Sequence, residues 1–413
     1  MKHVIVGNGP AGVSAARNLR RIAPQDDVVV VAEETQPFYS KVLTSYFVGG
    51  KVPYQNMLLA DADGFRGDGI QLLVGKRALR IDVKARELLL SGDVRTDYDR
   101  LLIATGAAPF LPPIDGIGLP GVFTLWTHDD AVRLQEWISP GQTAVVIGAG
   151  LVGLKAAEAF LMRGVSVTVV ELLDRVLPQV LAAEDASVVQ KALERKGVRV
   201  MTRTGVARIG GDGRVEGVAL TDGSELKCDV VVVATGVRPN LDLARSAGVA
   251  CGRGILVDEF MQTSVPDIFA AGDVAEGWDA ARGRRMPNPT WGNASEQGRI
   301  AAYNMAGSRK PFTGAVSLNT FTFLGFSMAA VGITQPEEDY FRVERYTNPA
   351  TGDYRKLVLL GDRLVGGVAI GDVRMAGVWR GLIARRREDP SLVGTLLTRK
   401  GGFAWSHGFA PGM

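Results

Sequence analysis

Two sets of glycines, each followed by an acid, carry the first chemistry that can be read. Gly7, Gly9 and Gly12 lie in "HVIVGNGPAG", residues 3–12, and Glu33 follows 21 positions after Gly12. Gly148, Gly150 and Gly153 lie in "AVVIGAGLVG", residues 144–153, and Glu171 follows 18 positions after Gly153. In such a set the first glycine makes a tight turn. The second lets backbone approach a pyrophosphate, and the third lets a helix pack closely on a strand. The helix that starts there directs partial positive charge at the phosphates. The acid takes ribose hydroxyls. The chemistry is dinucleotide binding, and it occurs twice.

The elements that must position these residues are present in both copies. An apolar strand enters each glycine turn, a helical pattern leaves it ("VSAARNLRRI", "LKAAEAFLMRG"), and a second strand ends at the acid ("DVVVVAEE", "VSVTVVEL"). A further pair reinforces the repeat. "DRLLIATGAAP" (99–109) and "CDVVVVATGVRPN" (228–240) are apolar strands ending in Ala-Thr-Gly. Thr105, Gly106 and Gly236 therefore fall at the carboxyl edge of a sheet, where glycine backbone can lie next to a ligand. Two dinucleotides in one chain imply a tightly held flavin and an exchangeable nicotinamide. Glu171 favours NAD over NADP, because an acid repels a 2′-phosphate. Arg175, close by, is a cation that could answer such a phosphate.

Composition narrows the classes. The 413 residues predict two to three domains, and 46% hydrophobic residues with 51 glycines allow a large core and many tight turns. A net charge of +3 gives no global pull toward nucleic acid or membrane. Met1 runs directly into "VIVGNG", with no apolar run near the roughly 18 residues that span a bilayer, so the expectation is a soluble, cytoplasmic protein. The two cysteines, Cys228 and Cys251, lie 23 apart in apolar stretches. They cannot hold an iron–sulfur cluster or a structural zinc by themselves, and they read as buried inert thiols. No metal site and no histidine base are expected.

These residues resemble the pyridine nucleotide–disulfide oxidoreductase superfamily of two-dinucleotide flavoproteins over nearly the whole chain. "GNGPAG" looks like its FAD fingerprint (Gly7, Gly9, Pro10, Ala11, Gly12) and "GAGLVG" like its NAD fingerprint (Gly148, Gly150, Leu151, Val152, Gly153). "SVPDIFAAGDVAE" (264–276) is similar to the second FAD motif, in which Asp273, after Gly272, would bond the flavin ribityl chain. "PTWGNASEQGRIAAYNMAG" resembles the helix whose N-terminus faces the flavin pyrimidine, which implicates Trp291, Asn293 and Ala294. Ala78, in "LLVGKRALRID", matches the segment that lines the adenine.

In thiol members of that family the redox cysteine follows the first acid. Here the place reads "PFYSKVLTSYF", residues 37–47, without cysteine. The resemblance is therefore to a cysteine-free branch: rubredoxin and ferredoxin reductases, the flavin end of NADH-dependent nitrite reductase, and flavoprotein subunits such as those of phenylglyoxylate dehydrogenase or tungsten aldehyde oxidoreductases. It places Lys41 beside the flavin. One residue departs from the family: Lys155 stands where many members have an acid, with Glu158 one helical turn on.

The expected architecture is α/β. A FAD domain at 1–113 and 240–310 carries an inserted NAD domain at 114–239, and an α+β interface domain covers 311–413. "LLGDRLVGGVAIGD" predicts a hairpin turning at Gly-Asp. Arg380 and Arg385–Arg387 suit the C-terminal end of a helix or a docking patch for an acidic partner. Phe403, Trp405 and Phe409 suit a tail that docks on another surface. The expected function is electron transfer between NAD(H), FAD and an iron–sulfur partner, as a homodimer or within a hetero-oligomeric complex that reduces NAD. The alternatives are a free NADH:rubredoxin or ferredoxin reductase, an NADH oxidase, and a non-catalytic NAD- and FAD-binding subunit.

Overall fold

The computed structural model describes residues 1–348, 350–388 and 392–398. The aromatic tail with Phe403, Trp405 and Phe409 lies outside the described residues. The chain divides into two compact units. The first contains Met1–Leu43, Pro53–Ala108 and Val237–Ala315. The second contains Thr44–Val52, Pro109–Gly236 and the described residues from Val316 on.

In the first unit the run Val4-Ile5-Val6 is too apolar for an exposed face, and it forms the central strand, Lys2–Val6, of a five-stranded sheet. The order across the sheet is Ile268–Ala270, Arg100–Ile103, Lys2–Val6, Asp27–Val31 and Gln71–Leu73, all parallel. Both faces are covered, as continuous Val/Ile/Leu strands require. Helices Pro10–Ile22 and Trp291–Met305 cross closely on it. A Cβ on Gly298 would lie 2.0 Å from the Ala11 carbonyl oxygen, so the crossing depends on that glycine. The Ser14 hydroxyl bonds the Ser295 carbonyl at 2.7 Å.

The second unit repeats the plan. Its sheet runs Val122–Phe123, Val230–Val233, Thr143–Ile147, Ser166–Val170 and Arg199–Met201, again all parallel. Helix Leu151–Met162 leaves its central strand, as Pro10–Ile22 does in the first unit. The same unit holds a five-stranded antiparallel sheet in the order Leu318–Phe323, Phe326–Gly332, Arg363–Ile370, Tyr354–Leu360, Phe341–Thr347. Leu360 pairs with Arg363 across Gly361-Asp362, the hairpin that the sequence predicts. Gly367 leaves room for Trp379 of helix Ala376–Ala384: a Cβ there would meet the indole at 2.9 Å, and Trp379 is fully buried. That helix ends at Ala384, so Arg380 lies within it and Arg385–Arg387 follow it.

An ion pair ties this sheet to helix Ala183–Arg195 of the same unit. Lys356 and Asp185, both buried, are bonded to each other. Asp185 also accepts from the Tyr354 hydroxyl at 2.7 Å, and Lys356 donates to the Thr334 carbonyl at 2.9 Å. No helix among the described residues is long and apolar enough to cross a membrane.

Candidate functional site

The two glycine turns share one geometry. Gly7 has φ +118 and Gly148 φ +104, a region that favours glycine. A Cβ on either would run into backbone, 2.2 Å from the Ala104 oxygen and 2.4 Å from the Ala234 oxygen respectively. Gly12 and Gly153 close the turn: a Cβ would lie 1.8 Å from the Gly7 oxygen and 2.0 Å from the Gly148 oxygen. Gly9 and Gly150 differ from these four, since a Cβ on either meets nothing within 4 Å. They have extended backbone and cap their helices without a side chain, and neither first turn holds an acid. Each cradle therefore offers uncapped N–H groups and open space to an anion. Pro10 occupies the first helical turn, where its missing N–H costs nothing.

The two acids are held differently. Glu33 is exposed, with Arg77 Nε 3.7 Å away. Glu171 is buried and accepts from the Ala149 N–H at 2.7 Å and the Leu173 N–H at 2.9 Å, so it also fixes the middle of its own glycine turn. Arg175 is committed to partners within its own unit. Its guanidinium donates to the Leu181 carbonyl (3.1 Å), Asp174 (2.6 Å) and Gln335 (3.0 Å). Leu172 is 69% exposed, and Val152 lies at the surface of the helix start.

At the Ala-Thr-Gly ends the threonines are staples. Thr105 Oγ1 donates to the Asn240 carbonyl at 3.2 Å, and Asn240 Nδ2 returns a bond to the Thr105 carbonyl at 2.8 Å. Thr235 Oγ1 donates to the Phe110 carbonyl at 2.7 Å. Gly106 (φ +64) and Gly236 (φ +107) border open space.

The second cluster of the first unit surrounds Gly272 and Asp273. Gly272 (φ +85) donates its N–H to Gln297 Oε1 at 2.8 Å, and a Cβ there would lie 3.0 Å from the Ala11 methyl and 3.7 Å from the Ala294 methyl. The glycine thus joins both helices to the strand end. Asp273 makes no hydrogen bond or ion pair with another described residue. Burial pushes its carboxyl up, and the charge of Lys41 draws it down. Lys41 Nζ bonds Glu34 Oε1 at 2.6 Å, and the Tyr39 hydroxyl donates to Glu34 Oε2 at 2.5 Å. Trp291 opens its helix, 37% exposed, with its ring 5.7 Å from Phe38. Asn293 is buried, donates to the Asn288 carbonyl at 2.8 Å, and leaves its Oδ1 without a partner among the described residues. Ala78 starts strand Ala78–Asp82 and is half-buried.

The open cradles, the unpartnered Asp273 carboxyl and the Asn293 oxygen fit two dinucleotides, one of which carries a polyol chain that can donate to a carboxylate. Sequence reasoning overlooked Glu34, Tyr39, Gln297 and Asn288. The doubled acid Glu33-Glu34, seven residues before a lysine, is the signal that was available for Glu34. Lys155 is held by partners within its own unit. It bonds Glu158, the Tyr46 hydroxyl (2.9 Å) and the Thr322 carbonyl (3.0 Å), and Glu158 accepts from the Leu324 N–H at 2.8 Å. These bonds join helix Leu151–Met162 to the turn after Leu318–Phe323. Burial pushes the Cys228 thiol up to about 12 and raises that of Cys251. Among the described residues no His/Cys/Asp/Glu group could hold a metal.

Comparison with known proteins agrees with this geometry. The family described as "Pyridine nucleotide-disulphide oxidoreductase" matches residues 1–298, and "Rubredoxin NAD+ reductase C-terminal domain" matches residues 318–387. Over 392 residues the chain is 33% identical to the "NADH-dependent phenylglyoxylate dehydrogenase subunit epsilon" of Aromatoleum evansii, covering 94% of this chain and 92% of that one. It is 32% identical to the "Nitrite reductase [NAD(P)H]" of Bacillus subtilis over 89% of its own length, but it spans only 45% of that relative. The solved complex of putidaredoxin reductase with putidaredoxin superposes with a TM-score of 0.89 at 28% identity, covering 95% of each chain.

Proposed function

The chain belongs to the pyridine nucleotide-disulphide oxidoreductase family, whose members bind FAD and NAD(H), and from that premise we propose that it passes electrons between NAD(H) and an iron–sulfur partner through FAD. The observation that carries the proposal is the pair of open glycine cradles combined with a lysine, Lys41, where a thiol relay would need cysteine. When bound, the nicotinamide supplies hydride chemistry and the flavin converts it to single-electron steps.

The chain's own residues bind, orient and set charge. FAD is assigned to residues 1–113 and 240–310, and NAD to 114–239. The rest, 311–413, is assigned as an interface domain. Gly9 and Gly150 leave space for pyrophosphates, and the two helix starts offset their charge. Glu33 accepts ribose hydroxyls in the first site. Glu171 does so in the second while holding the Ala149 N–H. With Arg175 committed elsewhere, residues 171–175 offer no uncommitted cation to a 2′-phosphate, which supports NAD over NADP. Asp273 accepts from a polyol hydroxyl. Lys41 and the N-terminus of Trp291–Met305 place positive charge where a reduced ring system gains negative charge. Glu34 positions Lys41 and partly offsets that charge.

The setting is the cytoplasm, and the chain works either free or as the NAD-reducing subunit of a larger enzyme. The second setting is supported by its match to a phenylglyoxylate dehydrogenase subunit over nearly both chains. Anaerobic purification from the native source tests this. Co-elution with cluster-bearing subunits makes the chain part of a complex. A lone yellow protein that NADH bleaches and that then reduces rubredoxin or ferredoxin makes it a free reductase. A protein without flavin, or one that NADH leaves yellow, refutes the reading.

A further inference from the structure

We propose that the hairpin of strands Ala275–Asp279 and Arg284–Pro287 is the docking surface for an acidic electron-carrier protein, with Trp278, Arg284 and Arg285 as its contact residues. The inference rests on the electron-transfer reading above and adds where the partner binds and what charge it carries.

Three observations converge on the hairpin. The first is exposure of the wrong kind for a folded core. Trp278 is 40% exposed and pairs in register with Arg285, so an indole and a guanidinium share one outward face. Tryptophan and arginine on an open surface are the residue types that anchor protein partners.

The second is unbalanced charge. Residues 275–315 contain three acids, and none leaves an open negative charge. Glu276 is buried and accepts from the Gly254 N–H at 3.0 Å. Asp279 is fully buried and accepts from the Arg282 N–H at 2.8 Å and from Asn288 at 3.2 Å, with Arg282 Nη1 3.5 Å away. Glu296 is bonded by Arg299 at 2.7 Å. Against these stand Arg284 and Arg285, both exposed, and neither has a hydrogen bond or ion pair with another described residue. A surface with this balance selects an acidic partner and speeds its encounter.

The third is position. Asp273 lies two residues before the first hairpin strand, and Trp291 lies four residues after the second. Both ends of the hairpin are therefore built into the candidate flavin site of the same unit, so a carrier seated there is brought to the flavin. The arginines after helix Ala376–Ala384 have no such link in sequence to that site.

The test uses the full flavin-loaded chain with NADH as donor, an acidic rubredoxin as protein acceptor and ferricyanide as small acceptor. R284E/R285E is expected to raise the KM for rubredoxin about tenfold or more and to flatten its dependence on ionic strength, with flavin content and ferricyanide turnover unchanged. W278A is expected to raise the KM without altering the salt dependence. R380E/R386E, the control, is expected to behave as wild type. A rubredoxin KM and salt dependence in R284E/R285E equal to wild type overturn the docking surface. An equal effect from R380E/R386E overturns it as well. If wild type fails to reduce even ferricyanide with NADH, it is the electron-transfer reading that fails. Should R284E/R285E lose flavin, the neutral R284Q/R285Q variant gives the same readout with a smaller expected change.

Discussion

Replacing Gly150 and Gly153 in turn by alanine separates binding from folding within one turn. Gly150 has φ −73 and ψ 179, backbone that any residue adopts, and its new methyl would meet nothing within 4 Å. Gly150→Ala should therefore leave stability within about 0.5 kcal/mol of wild type. The methyl projects into the space assigned to a pyrophosphate, where overpacking costs about 1–3 kcal/mol. At 1.4 kcal/mol per tenfold, NAD+ should bind about 5- to 150-fold more weakly. In Gly153→Ala the methyl would lie 2.0 Å from the Gly148 oxygen, against an ordinary contact of about 3.5 Å. Backbone must move by roughly 1.5 Å, at a cost of about 1–3 kcal/mol, and Tm should fall by about 2–12 °C. Titration of the oxidised, flavin-loaded protein with NAD+ measures the first effect, and thermal unfolding measures the second. Wild-type NAD+ affinity in Gly150→Ala, or wild-type Tm in Gly153→Ala, would refute the reasoning.

Three further outcomes follow from particular contacts. Glu34→Gln should raise the flavin reduction potential by roughly 10–30 mV and Lys41→Met should lower it, with the double variant falling between them; dye-equilibrated redox titration reads this, and a shift of opposite sign in Glu34→Gln would remove the charge argument. Asp273 has its carboxyl pushed up, so in the apoprotein the ionised form costs stability as pH rises above the unfolded value near 4. Asp273→Asn should thus raise the apoprotein Tm at pH 7, give no gain near pH 3, and weaken FAD retention on dialysis. Lys356→Met leaves Asp185 buried without its cation and should cost about 3–5 kcal/mol in denaturant unfolding, while Asp185→Asn/Lys356→Met should recover much of that loss; equal losses in the single and double variants would contradict it.

The parallel sheets and glycine turns were legible because a turn packed this closely against backbone admits only glycine at fixed spacing, and because strands buried on both faces must be apolar along their length. The Gly361-Asp362 hairpin was legible for a similar reason, since the local turn chemistry determines it. Side-chain direction was not. Glu33 and Glu34 are neighbours on the bend that follows strand Asp27–Val31 and point to different surroundings, so nothing local told which would reach Lys41. Lys155 was visible only as a departure from the family's acid, and its direction is set by Tyr46 and Thr322, both more than 100 residues away. The grouping of Thr44–Val52 with the second unit also depends on contacts distant in sequence, among them Gln135 bonding the Phe47 carbonyl at 2.6 Å. Glu171 was visible as an acid, but its bond to the Ala149 N–H required coordinates.

On the proposed function the flavin takes its electrons from NADH, and neither Cys228 nor Cys251 takes part. Anaerobic titration of the purified, flavin-loaded C228S/C251S variant with NADH, followed at the flavin absorbance, tests it most directly. Full bleaching at one NADH per flavin, identical to wild type, is expected. A requirement for two equivalents in wild type but one in the variant would reveal a thiol relay, and a flavin that NADH fails to bleach would contradict the account outright.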